Sequence, residues 1–154
     1  MNIFILDTNP TKCAEYHNDK HVVKMILETA QLLCGTHWVL GNEAPYKLSH
    51  KNHPCAIWTR ECVENYVWLC DLGMALCKEY THRYEKKHKS QEIIEWCYEH
   101  LPNIHTNGAI TPFALAMPDE CKVTNPVMSY RIYYMIHKRD ICVWKNRNNP
   151  NWYK

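Results

Sequence analysis

Between His21 and Cys34 the chain reads HVVKMILETAQLLC, and Val22, Val23, Met25, Ile26, Leu27, Ala30, Leu32, Leu33 and Cys34 leave almost no solvent face. The polar exceptions are His21, Lys24, Glu28 and Gln31, and His17 extends the series upstream. Those five positions follow i, i+4, i+7, i+11 and i+14, which is one line along an α-helix. A helix that is apolar nearly all round belongs in a core, and charges are seldom fully buried without partners. The stripe therefore faces either water or a polar cleft, and its narrowness favours the cleft.

The same patterning lays out the rest of the chain. Residues 2 to 6 (NIFIL) read as a short strand or an extended arm. Asp7, Thr8 and Asn9 precede Pro10, a cap followed by a first-turn proline, so a first helix is predicted from about Pro10 to Cys34, with Gly35 ending it. Gly41, Asn42, Pro45, Asn52 and Pro54 mark a loop from Thr36 to Pro54. From Pro54 a second long helix is predicted. Trp58, Cys62, Tyr66, Leu69, Gly73, Leu76 and Tyr80 follow the helical period to about Tyr84, where EKKHKS begins. A third helix starts at Ser90 and Gln91, runs through Trp96 to His100, and is stopped by Pro102. Residues 102 to 123 read as irregular. Thr124, Asn125 and Pro126 then repeat the cap-and-proline signal before a last helix from Val127 to about Val143. No internal repeat or linker appears. The expectation is one all-α domain over residues 1 to 154, a compact helical bundle with long loops and a basic, aromatic C-terminal tail.

Composition narrows the function classes. A chain of 154 residues builds a core without staples. Its nine cysteines form no CxxC pair, and Cys62, Cys70 and Cys77 recur near helical spacing, so they read as small buried hydrophobes in a reducing compartment. Four glycines provide no phosphate-cradling loop. No signal peptide is recognisable and no apolar run approaches the roughly 20 residues of a membrane span, so the protein is expected to be soluble and intracellular, in cytoplasm or nucleus. The net charge is only +2, whereas ten histidines, ten tyrosines and six tryptophans supply hydrogen-bonding and stacking surface. Nothing in the pattern specifies an oligomeric state.

Four places carry candidate chemistry. In HNDKH, His17 and His21 share a helix face at metal-chelating spacing, but Asn18 stands where a helical metalloprotease motif has its glutamate. On the stripe, Asp19 or Glu28 suits a general base, and a desolvated Lys20 or Lys24 suits an amine nucleophile. The segment YKLSHKNHP gathers Lys47, His50, Lys51 and His53 ahead of the second helix, with Arg60 two turns on, and suits phosphate groups. In the tail, Trp144, Lys145, Arg147, Trp152, Tyr153 and Lys154 interleave aromatics with cations, a mixture that fits unpaired bases and phosphates or, equally, tryptophans docked on the core.

Taken together, these residues resemble the pyrimidine-dimer DNA glycosylase family, the phage endonuclease V type. AEYHNDKHV at Ala14 to Val22 is similar to the family's AEYRELPRV, YKLSHKNHP is similar to the YKNHP element of bacterial relatives, and NPNWYK is similar to the family's PTWYK tail. The resemblance implies a compact helical fold and an enzyme that breaks the glycosidic bond at a cyclobutane pyrimidine dimer and then cleaves the abasic strand. It also implies an N-terminal α-amine as Schiff-base nucleophile, a helping glutamate on the first helix, and His17 and His21 in place of two basic contact residues. Two departures stand out. The family nucleophile is a threonine amine exposed when the initiator methionine is removed, whereas Asn2 here keeps Met1 and shifts the amine by one residue. The family glutamate falls on Asn18, with Asp19 one step and about 100° away around the helix.

The leading expectation is a glycosylase/lyase acting on damaged or modified pyrimidines in duplex DNA, with no cofactor and no membrane partner. Its attacking amine is the N-terminus (Met1 or Asn2) or, failing that, Lys20 or Lys24, and Asp19 or Glu28 moves protons. His17, Lys20, His21, Lys51, His53, Arg60 and Arg131 hold the nucleic acid, with Trp152 and Tyr153 against an opened base pair. Two alternatives remain. One is a binding protein that keeps the fold and loses turnover; the other is a metal-dependent hydrolase centred on His17 and His21.

Overall fold

A computed structural model describes all 154 residues. The chain is all-helical, without strands: α1 (Pro10–Tyr16), α2 (Asp19–Val39), α3 (Pro54–Thr59), α4 (Val63–Tyr84), α5 (Gln91–Glu99) and α6 (Pro126–His137), with 3₁₀ turns at Asp119–Cys121 and Arg139–Ile141. Helix α2 packs on α4, with α1, α3 and α5 around that pair. Residues 3 to 6 form the extended arm, buried inside the bundle rather than paired in a sheet.

The predicted first helix is two helices. Asn9 accepts from Lys12 N and Pro10 sits in the first turn, so α1 begins as the sequence indicates. At His17 the backbone turns extended, and the Asn18 side chain accepts from His21 N to start α2. The break is also tied down from outside, because Asn18 N donates to Tyr134 Oη at 3.2 Å. Gly35 does not end α2, which continues to Val39. It instead gives room to Leu48, whose methyl would lie 3.3 Å from a Cβ there.

The second predicted helix is likewise divided. α3 stops at Thr59 and α4 starts at Val63, whose N–H is taken by His105 O at 2.9 Å. Buried Asn65 staples the break: Nδ2 donates to Trp58 O and Thr111 Oγ1, while Oδ1 accepts from Thr111 N. The last helix closes at His137, short of Val143, and Val143 O then accepts from Asp19 N. Helix α5 matches its prediction closely.

All nine cysteines are free thiols, eight of them buried. Gly73 marks the tightest packing, since a Cβ there would meet Thr29 Cγ2 at 2.9 Å and Ile94 at 3.1 Å. A buried ion network ties the tail to the bundle. Arg83 donates to Glu79 Oε2 (2.7 Å), Asp19 Oδ1 (3.0 Å) and Glu15 O (3.0 Å), and Arg147 clasps the Glu79 carboxylate. No helix is long and apolar enough to cross a membrane.

Candidate active site at the N-terminus

The polar stripe of α2 does not line one cleft. Its upstream part, His17 and His21, is 0% and 5% exposed. His17 Nδ1 lies 2.7 Å from Cys13 O, which only accepts, so Nδ1 carries the proton. His21 Nδ1 pairs with Tyr134 Oη at 2.7 Å and its ring lies 4.3 Å from that of Phe4. Burial pushes His17 down to about 4 and, with the neighbouring His17, His21 to about 3. At neutral pH both are uncharged core rings. No group of three or more His, Cys, Asp or Glu side chains is arranged to hold a metal ion.

Further along α2, the stripe meets the start of the chain. Glu28 is 6% exposed, and its Oε1 is 3.3 Å from the Met1 amine and 2.9 Å from Asn2 N, which donates to it. The other oxygen, Oε2, is buried with no hydrogen-bond partner; Lys24 Nζ, on a largely exposed side chain, lies 3.8 Å away. The carboxylate therefore holds the amine with one oxygen and keeps the second free. Glu28 is the one acid that the buried face of α2 admits, and the arm drops the amine beside it.

Asn2 fixes the arm. Its Nδ2 donates to Ala116 O at 2.8 Å. Its Oδ1 lies within reach of Cys55 Sγ (3.5 Å) and Tyr130 Oη (3.2 Å). Burial raises Cys55 to about 11 and Tyr130 well above its ordinary value, so both stay protonated, and the Tyr130 hydroxyl donates to Ala114 O at 2.7 Å. Two residues before Cys55, His53 caps α3: Nδ1 accepts from Cys55 N at 3.0 Å. Burial, then the Met1 ammonium and His50, lower the His53 pKa, and Glu28 opposes them. The imidazole thus joins the site through Cys55, whose thiol reaches Asn2 Oδ1.

The remaining sequence candidates lie in other settings. Asp19 Oδ1 is occupied by Arg83 and by Lys145 N (2.8 Å), in the tail network rather than at the amine. Asn18, aligned with the family glutamate, is a buried helix cap. Lys20 and Lys51 are exposed, and Lys51 O takes a bond from half-buried Arg60. Arg131 donates to Leu6 O, pairs with Asp7 at 3.4 Å, and lies over the rings of Tyr16 and Trp152. Trp152 and Tyr153 are half-buried and pack edge-on against Tyr16 and Trp144 respectively. Sequence reasoning reached Met1, Asn2, Lys24, Glu28 and His53 but not Cys55 or Ala116, which join the site only through tertiary contacts with Asn2.

No curated protein and no solved structure matches this chain. A model of the pyrimidine dimer DNA glycosylase family matches residues 1–92, more than half of the chain, including the amine, Glu28, His53 and Cys55. The chain therefore belongs to the pyrimidine dimer DNA glycosylase family, which sets its function at that level as a DNA-repair glycosylase with DNA as the substrate.

Proposed function

We propose that this protein breaks the glycosidic bond of a damaged pyrimidine in duplex DNA and then cleaves the abasic strand, using its N-terminal α-amine as the nucleophile. One observation carries the reading: Glu28 Oε1 contacts both Met1 N and Asn2 N. With Met1 retained, its amine lies on the carboxylate. If Met1 were removed, the nitrogen at 2.9 Å would itself become the terminal amine. The substitution of Asn2 for the family's threonine is compatible with the chemistry in either form.

The amine nitrogen attacks C1′ of the deoxyribose as the C1′–N1 bond breaks, and the base leaves with that electron pair. Glu28, whose Oε2 has Lys24 Nζ at 3.8 Å but no hydrogen-bond partner, takes a proton from the attacking nitrogen and balances positive charge on the sugar. Loss of the ring oxygen from C1′ gives the imine, and removal of a C2′ proton then expels the 3′ phosphate. A carboxylate buried beside the amine acts where water screens it little.

Borohydride trapping on duplexes carrying a pyrimidine dimer or an abasic site tests this directly, with the adduct mapped by peptide mass spectrometry. The expected adduct is on the N-terminal residue. An adduct on Lys24 or Lys20 instead would relocate the nucleophile, and none at all from folded protein would remove the Schiff-base route. A second reading, a binding protein without turnover, is favoured by Asn18 in place of the aligned glutamate. Glu28→Gln separates the two, since only an enzyme has turnover to lose while DNA binding persists.

A further inference from the structure

His53 is an ionisable ring linked to the Asn2 arm through Cys55, and it still has a free edge. Its Nδ1 lone pair is committed to Cys55 N–H at 3.0 Å, so the neutral ring carries its proton on Nε2. That Nε2 has no partner within the protein and is not enclosed, on a half-buried side chain. Cys55 connects it to the site, because its backbone is bound by His53 while its thiol reaches Asn2 Oδ1 at 3.5 Å. A helix cap therefore presents an N–H, fixed in tautomer, on the element whose Cys55 meets the Asn2 arm that Glu28 binds. Protonating Nδ1 would break the cap, and the nearby ammonium disfavours a second positive charge.

We infer that His53 is a catalytic residue for departure of the base: its neutral Nε2–H donates a hydrogen bond to the ring carbonyl of the leaving pyrimidine. This rests on the amine reading above. As C1′–N1 breaks, the electron pair passes to the pyrimidine and spreads over N1 and the adjacent carbonyl oxygen. A fixed donor at that oxygen is stronger in the transition state than before it, so it accelerates the step. No proton leaves His53; the anionic base is protonated afterwards by solvent. An uncharged ring adds little to phosphate binding, for which exposed Lys51 and His50 are better suited.

The role makes the two halves of the reaction separable. A preformed abasic site has no base to expel, so the His53 donor has nothing to act on there. His53→Asn keeps a capping oxygen, as Asn9, Asn18 and Asn125 do in this chain, and removes the N–H from the ring's far edge. Single-turnover cleavage of the C1′–N1 bond in a dimer-containing duplex is expected to slow by about 10²–10³-fold, the usual loss for one such donor. Borohydride trapping on an abasic duplex is expected to fall by far less, and any trapping also shows that the variant is folded. Equal losses in both assays would mean a structural or phosphate-binding role and overturn the inference, as would unimpaired C1′–N1 cleavage. Wild-type protein that traps nothing on an abasic duplex fails the amine reading itself, before any variant is compared.

Discussion

Glu28 and Asn18 show how much a single position on α2 decides. Both are polar side chains on a buried helix, yet Asn18 spends its oxygen on His21 N whereas Glu28 meets the start of the chain. Glu28→Gln keeps the shape and the acceptor oxygen but removes the base. Trapping rates on abasic DNA should fall by about 10²–10⁴-fold, the span of general base contributions, with duplex affinity held. Asn18→Glu tests the sequence alignment from the other side. It places a carboxylate at the family position, but inside a fully buried cap with Tyr134 Oη and Cys142 Sγ against it. The variant should gain no activity and lose stability, read as a lower midpoint in a urea melt; a faster enzyme would restore the aligned position as the catalytic one.

At the scale of elements, the helix count was legible where caps and periodicity agreed and misleading where tertiary contacts intervene. Asn9–Pro10 and Asn125–Pro126 announced α1 and α6, and α5 ended where its pattern did. The break at Arg60–Cys62 was hidden because Trp58, Cys62 and Tyr66 keep the helical period across it, and that at His17–Asn18 because His17 and His21 fall on one helical line. What divides the helices is distant in sequence: Tyr134 at the first, His105 and Thr111 at the second. The site followed the same rule. The acid was visible as an exception on an apolar face, but its partner, the chain's own amine, became visible only when the arm was seen to enter the bundle. Gly73 belongs to this scale too. Gly73→Ala adds a methyl where Thr29 and Ile94 leave 2.9–3.1 Å, so α2 and α5 must shift. Helix propensity alone would favour alanine by about 1 kcal/mol, while overpacking costs about 1–3 kcal/mol. Net destabilisation is expected in the same urea melt, and a more stable variant would show that the helices yield freely.

The whole molecule is held as one unit by charges its bundle encloses. We propose that residues 1–154 unfold together, because Arg147 in the tail clasps Glu79 on α4 while Arg83 joins Glu79 to Asp19 on α2. Arg147→Ala should cost about 2 kcal/mol, the worth of hydrogen bonds to a charged group. In a domain of this size that lowers Tm by about 4–8 °C, in a single transition. Acid should act on the same assembly. Burial works against ionisation of Glu79, but bonds from Arg147 and Arg83 outweigh it and hold its carboxyl below the ordinary value. A depressed carboxylate stabilises the fold above its unfolded pKa, and that contribution disappears as pH falls through the folded one. His17 and His21 act at higher pH and in the same direction. Their folded values, about 4 and about 3, lie below the unfolded 6.5, so the unfolded chain binds the extra protons first. Stability is intact above about pH 6.5 and falls progressively below it, by up to about 3 kcal/mol for His17 alone once pH reaches its folded value. Urea midpoints measured from pH 8 to pH 4 should therefore be flat down to about 6.5 and then decline. A double His17→Gln, His21→Gln variant that folds should lose most of that early decline. It should keep the smaller part due to His37, His53 and His88, whose pKa burial also lowers, and the carboxylate-driven fall at lower pH. An unchanged profile would mean that these two rings take up protons without unfolding the core.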